Sequence, residues 1–332
     1  MRNIGVMLGG QAAQEKGMGY DSYHECEESR RIFEIGSEVA ELDLTEYCWG
    51  SKSDSLEGPI VQPALGAAYL ADLAWMKKKG LRESMVMGHS VSEVIALGFA
   101  DGLPPKDMFR ILTVRGHAME AAERENPGVM KAFIGPKPEE IEWILNFVNR
   151  RMERIHQSAA WLAMVNWREQ HIISGDEETI NFMERVSARV HDLGRISRNR
   201  VRFVRKGAAH SKHMEPAVQR VHDEIMRAKK YTPRIPALMN DGHFLQNPDD
   251  YADYLAGQLT TTASWRLSMW VAATGGYRYF IEPGKKDLMT GFMKKEFPDY
   301  KMLEAAFGRL IKIEKVPEIP ERINQQLESL AA

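Results

Sequence analysis

The chain has 332 residues, 44% hydrophobic and 27% charged, enough to bury the core of one large domain or two, and it holds no apolar run long enough to cross a membrane. A formal net charge of −2 gives no whole-chain reason to expect nucleic acid or an anionic membrane as partner, so neither is expected. Two cysteines, Cys26 and Cys48, exclude a disulfide framework, no Cys or His cluster stands at metal-ligand spacing, and no basic and apolar leader is visible; a metal-free protein of the reducing cytoplasm is expected.

Residues 3–8 form a short apolar run that Gly9-Gly10-Gln11 follows at once, which predicts a buried first strand delivering a glycine-rich loop. Gln11 then stands at the carboxyl end of a strand, where open α/β sheets build their sites, with a plain turn as the alternative. Apolar residues recur at helical intervals over 21–44, and a second helical stretch runs over 61–79 as far as Gly80. Next, Met85-Val86-Met87 leads into Gly88-His89-Ser90, and a helix-period segment follows through Leu97. This predicts a buried strand turning sharply into a helix with Ser90 at the tip. A serine there is lifted clear of the backbone, and amides at the helix start face any oxyanion forming beside it, the geometry of a nucleophile elbow. The usual pattern has glycine two places after the serine, where Ser92 stands; the short motif alone reads equally well as a turn with a capping serine.

Pro104-Pro105 starts another helix, in which Arg115 lies among apolar neighbours. A guanidinium cannot shed its charge, so a buried arginine needs an acidic partner from protein or ligand; an exposed arginine or a structural ion pair is the plainer reading. From Gly128 the pattern becomes strand (129–134), helix (138–154), strand pair (163–174), helix (177–193) and strand (201–204). A β-α-β-β-α-β order predicts an inserted ferredoxin-like unit. After Ala208 come a strand-like run at 235–239, a helix over 249–259, a strand over 277–281 entering Glu282-Pro283-Gly284, and a closing helix over 318–330. The expected fold class is α/β. A large α/β-hydrolase-like catalytic domain with a parallel sheet and nucleophile elbow takes 1–127 and 206–332, and a small ferredoxin-like α+β domain is inserted at 128–205.

One ordered series of motifs runs along nearly the whole chain. It comprises Gly10-Gln11-Ala12-Ala13-Gln14 with Gly17-Met18-Gly19, then Gln62-Pro63-Ala64-Leu65, Gly88-His89-Ser90-Val91-Ser92-Glu93, and Val114-Arg115-Gly116 with Met119. Ala209-His210-Ser211 with Met214, Pro216 and Ala217 follows, then Asn240, Gln258 with Trp265, and Glu282-Pro283-Gly284-Lys285. The series resembles the malonyl-CoA:acyl-carrier-protein transacylase family and its relatives, the acyltransferase domains of polyketide synthases.

That resemblance implies Ser90 as nucleophile, His210 as general base, and an oxyanion hole from the backbone amides of Gln11 and Val91. It assigns Arg115 to the free carboxylate of malonate, where a planar fork suits a bidentate contact, and this displaces the structural reading of that arginine. Gln62, His89, Asn166 and Gln258 match substrate-pocket positions; for Gln62, His89 and Gln258, packed polar residues are the alternative. The implied reaction moves a malonyl-type group from coenzyme A to the phosphopantetheine thiol of an acyl carrier protein, in fatty-acid or polyketide biosynthesis. No bound cofactor is expected: the coenzyme A thioester is substrate and the phosphopantetheine belongs to the partner. The rivals are an acyl hydrolase of the same fold, in which water clears the serine, and a non-catalytic copy that binds carrier protein. Four departures stand out: Ser92 for glycine; Ala12-Ala13 where the opening loop usually has G-S; Trp167-Arg168-Glu169 after Asn166 where S-P-G is usual; and Gly207-Ala208-Ala209-His210, unlike the patterns associated with malonyl or methylmalonyl choice. They leave malonyl and substituted malonyl open.

Between Leu193 and Met214 there is no Asp or Glu, while Arg195, Arg198, Arg200, Arg202, Arg205, Lys206 and Lys212 flank His210. Alternation predicts a strand that buries Val201 and Phe203 and points Arg200 and Arg202 outward. Carrier proteins are generally acidic, so Arg200 and Arg202 are expected to dock one, with a solvated basic face as the plainer reading.

Overall fold

A computed structural model describes residues 3–156, 159–196, 198–306 and 308–331. The strands, in chain order, are β1 (Ile4–Leu8), β2 (Met85–Gly88), β3 (Val129–Ile134), β4 (Ala160–Trp167), β5 (Gln170–Gly175), β6 (Arg200–Lys206), β7 (Ala237–Leu238), β8 (Tyr279–Ile281), β9 (Tyr300–Ala305) and β10 (Gly308–Ile313). The chain separates into two compact units. The first is Met1–His117, Val221–Leu255 and Leu267–Ala332; the second is Ala118–Arg220 and Ala256–Arg266.

The first unit is built on a six-stranded sheet of order β7-β2-β1-β8-β10-β9. β7, β2, β1 and β8 run parallel, and their short apolar runs are nearly all buried, as strands covered on both faces must be. The helix Val61–Lys78 is buried along most of its length, and its small residues allow close approach: a Cβ on Gly66 would lie 2.7 Å from Leu112. Leu8 pairs with Gly88 and Leu238 with Met87, so three adjacent parallel strands end together, and Gln11, Ser90 and Asn240 follow at their carboxyl ends.

The sheet is parallel only in part. β8 is followed by antiparallel β10 and then β9, a pair the sequence pattern did not disclose. The strand expected over 235–239 shrinks to two residues, because Pro236 has no N–H for a ladder and contributes only its carbonyl, to Val86 N at 3.0 Å. The helical stretch over 21–44 divides into Tyr20–Glu25 and Glu27–Ala40, the latter ending where Glu41 turns left-handed at φ 54°, with Leu44–Cys48 beyond.

The second unit carries an antiparallel sheet of order β4-β5-β3-β6, the arrangement of a β-α-β-β-α-β fold with its first and third strands central. Helices Pro138–His156 and Glu177–Asp192 contribute Ile141, Ile144, Val148, Ile180 and Met183 to one core with Phe133 and Ile173. The insert expected at 128–205 lies inside this unit, which also takes in 118–127, 206–220 and 256–266. The last segment is stitched to β4 by Ala263 N to Ala163 O (2.9 Å), Val165 N to Ala263 O (3.1 Å) and Thr262 Oγ1 to Leu162 O (2.6 Å). β6 is an edge strand with an irregularity: Met130 pairs with Arg205 but Lys131 with Phe203, so Val204 is an extra residue. Val201 packs on the core, but Phe203 is 59% exposed, which corrects the expected burial of both; Arg200 and Arg202 are exposed.

Candidate active site

The elbow is held together by the absence of side chains. A Cβ on Gly88 would fall 2.0 Å from Ser92 O, and one on Gly10 would fall 2.7 Å from His89 Nδ1, so β2 packs onto its helix and the loop after β1 lies against the elbow only with glycine at both places. Between them Ser90 adopts φ 55°, a left-handed conformation that costs a non-glycine residue about 1–2 kcal/mol. The surroundings fix it there. Ser90 N donates to Asn240 Oδ1 at 2.7 Å, and Asn240 Nδ2 donates to Gly88 O at 2.7 Å, so one side chain clamps the turn on both sides. Asn240 is oriented in turn by its own N–H donating to Glu93 Oε1 at 2.5 Å, and Tyr254 OH donates to the same oxygen at 3.3 Å. Burial, followed by the Glu93 and Asp241 carboxylates, holds the Tyr254 phenol well above its ordinary range, so it stays a donor.

Val91 precedes the helix Ser92–Phe99. Amides of a helical first turn have no intrahelical acceptor and carry the positive end of the helix dipole, an environment suited to negative charge beside Ser90. Leu8 O accepts from His89 N at 2.9 Å, which ties β1 to the elbow at the point where its glycine loop departs. Ser92 is wholly buried, and its Oγ donates to Gly9 O at 2.6 Å. The serine is thus accommodated at the glycine position rather than breaking the elbow.

Arg115, in the helix Pro105–Glu125, is 2% exposed, which rules out the solvated reading. Its Nη1 donates to Oε1 of Gln62, itself buried on the helix Val61–Lys78, at 3.0 Å. An amide oxygen orients a guanidinium without neutralising it.

The second unit supplies an imidazole of defined polarity. His210 is 2% exposed and left-handed at φ 57°. Its Nδ1 lies 3.0 Å from the carbonyl oxygens of both Gln258 and Thr261. Carbonyls only accept, so Nδ1 carries the hydrogen and Nε2 of the neutral ring is the basic atom. The loop bearing it is pinned by Ser174 Oγ to Ala209 O (2.6 Å), Ser211 Oγ to Ala208 O (2.5 Å) and Gly207 N to Gly128 O (2.7 Å).

The structure therefore gathers Gln11, His89, Ser90 and Val91 at the carboxyl ends of β1 and β2 in the first unit and pairs Arg115 with Gln62. In the second unit it sets His210 against Gln258, through the backbone rather than the side chain. Asn166 is buried on β4 with Nδ2 donating to Gln170 Oε1 at 3.3 Å; the unusual residues after it end β4 and form the turn to β5. The Asn240–Glu93 clamp and the Thr261 carbonyl were not foreseen as parts of the site; Glu93, a carboxylate inside an apolar helix, was the available signal. Among the described residues there is no group of three or more His, Cys, Asp and Glu that could hold a metal ion, and no helix long and apolar enough to cross a membrane.

Comparison with known proteins places this geometry in a family. The chain is 23% identical over 298 residues to a malonyl CoA-acyl carrier protein transacylase of Bacillus subtilis, covering 89% of this chain and 72% of that protein. Its fold is similar to that of an acyl-carrier-protein S-malonyltransferase of Bartonella henselae, with a TM-score of 0.81, 24% identity and coverage of 99% of this chain and 100% of the other. A malonyl-transacylase solved in complex with its type II polyketide synthase acyl-carrier protein is similar at a TM-score of 0.80 and 23% identity, over 89% of this chain and 93% of that one. The model of the acyl transferase domain matches residues 7–301, from within the first strand of the elbow sheet to its antiparallel edge, and on that match the chain belongs to the acyl transferase domain family.

Proposed function

We propose that the chain moves a malonyl-type acyl group from coenzyme A to the phosphopantetheine thiol of an acyl carrier protein, in fatty-acid or polyketide biosynthesis, through an acyl-serine intermediate. The reading rests above all on Ser90, held left-handed at the tip of a strand-to-helix elbow with the Gly9-Gly10-Gln11 loop packed against it. Family membership and the malonyl transfer named for the relatives support it.

In the first half-reaction His210 Nε2 takes the Ser90 proton as Oγ attacks the thioester carbonyl. The backbone amides of Gln11 and Val91 receive the oxyanion; a single such donor is worth about 10²–10³ in rate. The C–S bond then breaks, and the proton passes from Nε2 to the coenzyme A thiolate. In the second, the carrier thiol gives its proton to Nε2 and attacks the ester, and Ser90 recovers its hydrogen as the C–O bond breaks. Arg115 grips the distal carboxylate of the acyl group, with Gln62 holding its fork. Family likeness alone assigns His89, Asn166 and Gln258 to substrate binding. No cofactor takes part beyond the coenzyme A thioester and the partner's phosphopantetheine. A cytoplasmic setting fits Cys26 and Cys48, both free and buried.

Carrier protein docks through the exposed Arg200 and Arg202 on edge strand β6, where basic charge steers an acidic partner. The test is malonyl transfer to purified carrier protein, read by mass. At low salt Arg200→Glu/Arg202→Glu raises the KM for carrier protein about tenfold and changes Ser90 acylation by coenzyme A substrate less than about twofold, and added salt raises the wild-type KM. Equal transfer by the double variant removes this face from docking. Release of free malonate with no loaded carrier makes the protein a hydrolase.

A further inference from the structure

We infer that Ser92 is a positioning residue for the loop that carries the Gln11 amide, and that it is needed because Ala12 stands in that loop. The inference rests on the reading of the Gln11 amide as an oxyanion donor. The two residues are departures from one glycine-rich pattern: Ser92 where the elbow has glycine and Ala12 where the opening loop has glycine. In the structure they are two ends of one device. Ala12 adopts φ 117°, a conformation that glycine reaches freely and that a Cβ disfavours. The segment Gly9-Gly10-Gln11-Ala12-Ala13 is therefore under strain in the shape that presents Gln11, and something must hold it there.

The hydrogen bonds that hold it are unequal. Across Ala12 the loop is closed by Ala13 N to Gly10 O (2.9 Å), but its bonds to side chains and to other segments at and beyond Ala12 are solvent-facing: Ala12 N to Gln14 Oε1 (2.7 Å), Lys286 Nζ to Gln14 O (2.6 Å) and Lys285 N to Glu15 Oε1 (2.8 Å). Ahead of it, Ser92 Oγ donates to Gly9 O at 2.6 Å from a wholly buried position. Water cannot replace a buried donor, so loss of this hydroxyl leaves the Gly9 carbonyl without that bond and frees the strained loop to relax. The same hydroxyl fastens the loop to the helix that Val91 precedes, so it fixes the separation of the two proposed oxyanion donors. With glycine at position 12 the strain falls and the hydroxyl matters less. The two substitutions are thus coupled, and their effects do not multiply.

The experiment is a double-mutant cycle on the full-length protein with Ser92→Ala, which keeps the Cβ, and Ala12→Gly. Ser92→Gly serves as a second hydroxyl-free variant. Acyl-enzyme formation from malonyl-CoA is measured in single turnover, and amide hydrogen exchange is measured over residues 9–14. Ser92→Ala slows acylation about tenfold with little change in substrate KM and speeds exchange in this segment but not in β8. Placed on Ala12→Gly, the same substitution slows acylation less than about threefold and changes exchange less. Equal effects of Ser92→Ala in both backgrounds, or no effect in either, overturn the inference. If wild type is never acylated, the functional reading fails, and the exchange cycle alone decides whether Ser92 and Ala12 are coupled.

Discussion

Arg115→Ala is expected to lower kcat/KM for malonyl transfer about 10²–10⁴-fold while leaving acetyl transfer within about threefold. The size follows from burial. Arg115 is 2% exposed, so a malonyl carboxylate brought to it is removed from water, and loss of the partner leaves that charge uncompensated, a penalty of about 3–5 kcal/mol. An acetyl group brings no charge and escapes the penalty. Gln62 separates selectivity from simple collapse: it donates no charge but fixes the fork through its bond to Nη1, so Gln62→Leu should weaken malonyl discrimination less than Arg115→Ala does. The measurement is kcat/KM for malonyl- and acetyl-CoA with each variant. Parallel losses for both substrates would make Arg115 structural.

His210→Asn is expected to slow acylation of Ser90 and transfer to carrier thiol alike, each by about 10²–10⁴-fold, because one imidazole handles the proton in both half-reactions. Asparagine is the informative replacement. It tolerates the left-handed backbone at φ 57° better than alanine does, so the loop is disturbed less while the basic nitrogen is lost. The Gln258 and Thr261 carbonyls set the tautomer through Nδ1, leaving Nε2 as the only ring atom able to accept a proton. Rapid acylation of the variant with only thiol transfer impaired would limit His210 to the second step.

The parts legible in the sequence were those written in neighbouring residues. The apolar run into Gly88-His89-Ser90 announces a strand, a close-packed turn and a helix, because each is a local preference. The same holds for the glycines after β1 and for the alternation of strands and helices in the second unit. Arg115 could be suspected from its apolar neighbours, though only burial excludes the solvated reading. What escaped depends on long-range pairing or on backbone. Asn240 and Glu93 are 147 residues apart, and no spacing rule links them until β7 is laid beside β2. The Thr261 carbonyl has no residue-type signature, since every residue has one. Phe203 alternates correctly yet is exposed, because the extra residue Val204 and an edge position leave it beyond the core. β9 and β10 carry charged residues among their apolar ones and lie at the edge of a sheet otherwise read as parallel. Ser92 is the reverse case: the sequence shows a missing glycine, and only the fold shows that the hydroxyl has an acceptor at Gly9 O.

Intact-mass spectrometry after mixing with malonyl-CoA tests the central claim most directly, since an acyl group on one serine hydroxyl distinguishes covalent transfer from binding. Wild type is expected to gain the mass of a single malonyl group and to lose it when unloaded carrier protein is added, while Ser90→Ala gains none. Equal labelling of wild type and Ser90→Ala would contradict the account, because the elbow serine would then not be the nucleophile.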